Sequence, residues 1–152
     1  VKDRAVEAMA LRELGYVNLK QGQFSKGVTL VDQSIQISRR LNHLLGLSIS
    51  SSVIGYAFRL QGNYETALQQ FQESLRISAD LNRPRSEAIE LANLSECYRE
   101  MGDFSSALEC GQRALEIARG IGSRQLEGST LMAVGRAYAA RGEFSPAGEC
   151  FT

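Results

Sequence analysis

The fold class that this chain predicts is all-α: a solenoid of antiparallel helix hairpins. Three observations carry that reading. One phrase occurs four times, as Gly22-Gln23-Phe24, Gly62-Asn63-Tyr64, Gly102-Asp103-Phe104 and Gly142-Glu143-Phe144, with the glycines spaced 40 residues apart and no insertion. Between the phrases, apolar and very small residues recur at spacings of three and four, the signature of helix faces. Helix breakers fall at the same point of every copy. A fixed period of this size marks stacked supersecondary units, each too small to bury its own faces.

Each copy reads as two helices. The first pair spans roughly 3–21 and 25–41, followed by 44–61 with 65–81, 84–101 with 105–121, and 124–141 with 145 to the end. The copies occupy 3–42, 43–82, 83–122 and 123–152, a single array over residues 1–152 whose last copy is cut short. The phrase glycines stand where each first helix must stop, because glycine accepts the left-handed conformation that closes a helix. Ser25, Ser105 and Ser145 are the expected N-caps of the second helices. Pro84 falls in the first turn of a helix and Pro146 directly follows an expected cap, where a missing N–H costs nothing. Asn42, Asn82 and Gly122 mark the joints between copies.

Overlaying the copies sorts positions by duty. The column Leu14, Ile54, Leu94, Val134 is apolar and branched, and the next, Gly15, Gly55, Ser95, Gly135, is tiny. A second small column is Gly27, Ala67, Ala107, Ala147. Later columns are Ser34, Ser74, Ala114, then Ile37, Ile77, Ile117, then Leu41, Leu81, Ile121. Two helices of a hairpin approach most closely where neither carries bulk, so the tiny columns belong at the seam. The aromatics at 24, 64, 104 and 144 fill the wedge beside it.

Composition narrows the function classes. Of 152 residues, 43% are hydrophobic and 22% charged, which fits a folded chain and not a disordered one. Seventeen basic residues balance seventeen acidic ones, so no cationic surplus points to nucleic acid or to an anionic membrane surface. No apolar run is long enough to span a bilayer, and no signal peptide opens the chain. Cys97, Cys110 and Cys150 are odd in number and match no metal or redox spacing, so they read as small apolar fillers in a reducing compartment, and a cytoplasmic protein is expected. His43, the only histidine, reads as a surface or capping residue. The start at Val1 and the unfinished last copy suggest a piece of a longer array, or an uncapped C-terminal repeat that associates end to end through Phe144 and Phe151.

These columns resemble the tetratricopeptide repeat, over essentially the whole chain. Leu14-Gly15, Ile54-Gly55 and Val134-Gly135 match its Leu-Gly step. Tyr98 and Tyr138 match its tyrosine, with Phe58 in substitution. Ala67, Ala107 and Ala147 match its first alanine, Phe71 and Phe151 its aromatic, and Ala114 its last alanine. The 40-residue period and the absent proline after the second helix are similar to the long-helix subclass of Leu-Gly-Asn repeat scaffolds, kinesin light chain and bacterial sensor regions. The asparagine naming the first of these is missing, since Tyr16, Tyr56, Glu96 and Arg136 occupy its place.

The resemblance implies a right-handed superhelix with the first helix of each pair lining a concave wall. On those helices the outward stripe is Arg12, Tyr16, Leu19; Ser52, Tyr56, Arg59; Ala92, Glu96, Arg99; and Met132, Arg136, Ala139, with Glu13, Lys20, Asn93 and Glu100 beside it. The stripe changes character from copy to copy whereas the seam columns do not. It therefore reads as a peptide-binding groove: Tyr16 and Tyr56 as flat anchors, Arg12, Arg59, Arg99 and Arg136 as forks for carboxylates or carbonyls. Residue by residue, an ordinary solvated face is the competing reading. Tyr16 replaces the asparagine that a chaperone-type carboxylate clamp needs. No nucleophile–base set, phosphate loop or metal-ligand spacing is present, so neither catalysis nor a cofactor or metal is expected. The expected function is a non-enzymatic protein–protein interaction scaffold that holds a partner peptide. The alternative is a peptide- or ligand-sensing region of a bacterial signalling protein or transcription regulator.

Overall fold

The computed structural model describes residues 2–151. Eight α-helices follow in order: α1 Lys2–Lys20, α2 Phe24–Arg40, α3 Leu44–Leu60, α4 Tyr64–Asp80, α5 Pro84–Met101, α6 Phe104–Gly120, α7 Arg124–Arg141 and α8 Phe144–Phe151. Among the described residues there is no strand. The chain divides into two compact units, Val1–Ile77 and Ser78–Thr152, with the division inside α4.

The breakers act as the sequence predicts. Gly22, Gly62, Gly102 and Gly142 have φ of 77°, 75°, 84° and 87°, and the joints Asn42, Asn82 and Gly122 have φ of 50°, 50° and 66°. Left-handed closure therefore alternates between glycine at the turn inside a hairpin and asparagine or glycine at the turn between hairpins. The N-caps differ from expectation. The second helices begin at the aromatic, which places Ser25, Ser105 and Ser145 inside the first turn and gives capping to the residue after the glycine. Asp103 accepts from the Ser106 amide at 3.1 Å and from the Ser106 hydroxyl at 2.6 Å, and Asn63 accepts from the Thr66 amide at 3.2 Å. The hydrogen bonds from Ser106 hold the Asp103 carboxyl below the usual carboxylate range.

In the first unit, α1 packs on α2, α2 on α3, and α1 on α3. The seams are too tight for side chains. A β-carbon on Gly15 would stand 2.5 Å from Val31 Cγ2, and one on Gly55 would stand 2.7 Å from the Phe71 ring. Val31, Ile35 and Ile54 form the apolar core, with Leu47 and Phe58 against it. The serine-rich face of α3 is buried but hydrogen-bonded: Ser50 lies 3.0 Å from Ser34 Oγ, and Ser48 3.0 Å from Ser74 Oγ. Pairing each hydroxyl is what makes a polar seam tolerable.

In the second unit α5 packs on α6, α6 on α7, α7 on α8, and α5 on α7. Ser95 replaces the seam glycine here and donates to the Ala107 carbonyl at 2.7 Å, so its extra atoms add a bond instead of a clash. Ala107, Leu108, Val134 and Ala137 form a core on which Tyr98 and Tyr138 rest. Cys97 is fully buried, and burial pushes the half-buried Cys110 and Cys150 thiols up, away from the reactive thiolate.

Two apolar columns depart from the expected burial. Ile54 and Val134 are 4% and 3% exposed, but Leu14 is 52% exposed. The face in question is covered by the second helix of the preceding copy, as Val31 and Ile35 of α2 cover Ile54, and no such helix precedes α1 among the described residues. Leu81 and Ile121, of the last apolar column, are also exposed. Of the wedge aromatics, Phe24 meets Phe58 edge-on at 6.1 Å. Phe144 stands exposed, and the side chain of Phe151 lies outside the described residues.

Candidate functional site

The outward faces of the first helices carry two different chemistries. In the first unit they carry aromatics and cations. Tyr16 of α1 and Tyr56 of α3 lie with ring centroids 6.1 Å apart, tilted by 48°. Lys20, one turn beyond Tyr16, sits over both rings, 5.4 Å from the first centroid and 4.9 Å from the second, and donates to Tyr56 Oη at 3.0 Å. That bond, with a smaller contribution from Tyr16, raises the affinity of the ammonium for its proton. Arg59 adds a guanidinium 5.7 Å from the Tyr56 ring. Ring faces are negative, so two tyrosines can hold cations in a patch that stays open at its edge.

In the second unit the stripe is an ion-pair network. Glu96 accepts from Arg99 at 2.8 Å through one oxygen and from Arg136 at 3.1 Å through the other. Arg99 also reaches Glu100 at 3.2 Å. The Glu96 side chain is only 16% exposed, so this pairing is stronger than that of a solvated surface pair. Asn93 donates to Glu90 at 3.3 Å, and Glu90 is itself buried.

The structure thus brings Tyr16, Tyr56 and Arg59 together, and separately Glu96, Arg99 and Arg136. Arg12 is engaged by Glu13 at 2.7 Å, and Ser52 is half-buried on α3. Leu19 departs from the expected stripe: it is 5% exposed and packs against Gly27 inside the first hairpin, where a β-carbon on Gly27 would meet it at 2.6 Å. Its column is the flank of the face, which long arginines cross but leucine does not. The sequence reading missed Met9 and Ile49, 50% and 38% exposed. They lie three residues before Arg12 and Ser52 on the same faces, and the spacing was the available signal. His43 is exposed at the N-cap position of α3 without a side-chain capping bond.

Left-handed closures every half-period, glycine-tight seams and alternating hairpin helices define a tetratricopeptide-type repeat protein. A family model described as "MalT-like TPR region" matches residues 2–152, and the chain belongs to that family. No curated protein matches. Solved structures share the fold. A Rap protein complexed with competence and sporulation factor superposes with a TM-score of 0.90 at 18% identity, covering 99% of this chain and 42% of its own. BtubC from P. vanneervenii does so at 0.83 and 20% identity, covering 94% of this chain and 59% of its own. A signal transduction ATPase with a tetratricopeptide repeat sensor, from Pyrococcus horikoshii, does so at 0.86 and 18% identity, covering 97% and 23%. The chain therefore spans less than two thirds of the length of each of these three chains. Among the described residues, no helix is long and apolar enough to cross a membrane.

Proposed function

We propose that this chain is a non-enzymatic interaction module that binds a peptide segment of a partner protein along the outward faces of its first helices. The reading treats the four copies as one array, on the strength of the unbroken period. The observation that carries it is the Tyr16–Tyr56 pair bridged by Lys20. Aromatics and cations at such a patch supply flat contact area and charge at low entropic cost, the composition of binding hot spots. Arg12, Ser52 and Arg59 extend this surface in the first unit, and Asn93, Glu96, Arg99 and Arg136 form its counterpart in the second. Zero net charge argues against nucleic acid as the partner.

The test is binding of the chain to a peptide array, followed by titration of the retained sequences. Tyr56→Ala and Lys20→Glu lower affinity at least about tenfold while helicity and melting stay unchanged. Unchanged affinity in both variants removes the groove assignment.

The family and the Pyrococcus horikoshii neighbour favour a second reading, in which the module is the sensing region of a larger signalling protein. It predicts that peptide binding alters the activity of a domain joined to the array, measured on the full-length parent.

A further inference from the structure

Beside the tyrosine pair, the N-terminal halves of α1 and α3 leave a cavity of about 300 Å³, walled by Ala5, Val6, Met9, Leu45 and Ile49. Its floor is polar. Ser38, at the end of α2, is 1% exposed, and its hydroxyl has no hydrogen-bond partner. Gly46 keeps that floor clear, since a β-carbon there would stand 2.9 Å from Ser38 Oγ and 2.5 Å from His43 Nδ1. At the rim, Arg12 spends Nε and Nη2 on one oxygen of Glu13, at 3.0 and 2.7 Å, which leaves Nη1 for a guest.

Size and chemistry narrow the occupant. The volume is at the lower limit for ligand pockets and suits one large side chain. The Ser38 hydroxyl is already buried without a partner, a standing cost that a hydrogen-bonding guest offsets and a wholly apolar guest leaves in place. The guest must bring an apolar body with one hydrogen-bonding edge, which describes tyrosine and tryptophan. Met9, Arg12 and Tyr16 share a helix face, so a chain anchored here runs past Arg12, whose charge Glu13 already balances, to Lys20, whose ammonium rests on tyrosine rings and offers the positive charge of this stretch. We propose that this cavity is the anchor pocket for a single tyrosine or tryptophan of an acidic peptide, its O–H or N–H bonded to Ser38 Oγ. The proposal rests on the peptide-binding reading and names the class of peptide.

This chain contains no tryptophan, so indole fluorescence reports the guest alone. The probes are a blocked peptide of one tryptophan followed by glutamates, its twin with alanine for tryptophan, and N-acetyltryptophanamide, with affinities taken from calorimetry. The tryptophan peptide shifts its emission to the blue and binds at least about tenfold tighter than the twin and than the free amide. Ala5→Phe fills the cavity, abolishes the shift and reduces the peptide to the twin's affinity while helicity is retained. Ser38→Ala leaves melting unchanged or higher and weakens the tryptophan peptide about three- to tenfold without affecting the twin. Equal binding of the two peptides, no binding of either, or indifference to both substitutions overturns the pocket. Tight binding of the free amide overturns the peptide as source. Equal binding of both peptides that Tyr56→Ala weakens removes the pocket and leaves the broader groove reading standing.

Discussion

Gly15 and Gly27 face each other so closely that a β-carbon on either would come within 2.9 Å of the other's carbonyl oxygen. The contact is backbone against backbone, so no rotamer change relieves it. Gly15→Ala or Gly27→Ala should lower the unfolding free energy by about 1–3 kcal/mol. Gly128 is the control: its β-carbon would meet nothing within 4 Å, in the second turn of α7. Gly128→Ala should stabilise by about 0.5–1 kcal/mol. Urea unfolding of the three variants checks both signs.

The apolar column tests the stacking argument. Ile54→Ala empties a site packed by Val31 and Ile35 and should cost about 2–5 kcal/mol, whereas Leu14→Ala, on an open face, should stay within about 0.5 kcal/mol. Equal losses would mean that Leu14 is covered in solution.

Much of the fold was legible because the period forces equivalent positions into equivalent environments. The glycine turns, the asparagine joints and the tiny seam residues all follow from four copies in register. Leu14 broke the rule because a repeat column records the duty of a position inside an array, while exposure depends on the neighbour actually present. The caps were misplaced because serine after the aromatic looked like a cap, and aspartate or asparagine before it did the work. The site was legible as a face, not as contacts: nothing in the spacing states that Glu96 claims two arginines, or that Gly46 clears a floor at Ser38.

Asp103 gives a pH test. Its folded carboxyl is held low by Ser106, so it binds protons less readily folded than unfolded. The resulting stability is present above the unfolded carboxylate range and is lost as pH falls through the folded value. Asp103→Asn keeps the cap, as Asn63 does in its own turn, and should flatten this part of the melting-versus-pH curve on the acid side. Asp103→Ala should lower the melting temperature at neutral pH by a few degrees.

Lys20 links the tyrosines through its ammonium. Lys20→Met keeps the length of the stem and removes the charge. Melting should change little, because the group is exposed, while affinity for acidic peptides falls and its salt dependence flattens. Thermal scans and titrations at two ionic strengths separate the effects.

Glu96 changes what the second unit can offer a visitor. Arg99 and Arg136 already hold a carboxylate that the protein supplies itself. An incoming acid must evict that occupant, so binding there is an exchange of one anion for another, worth only the difference between them. Salt weakens the old tie and the new one alike. Such a surface discriminates by geometry, admitting a guest whose fork fits better than the resident, and turns away charge that merely drifts by.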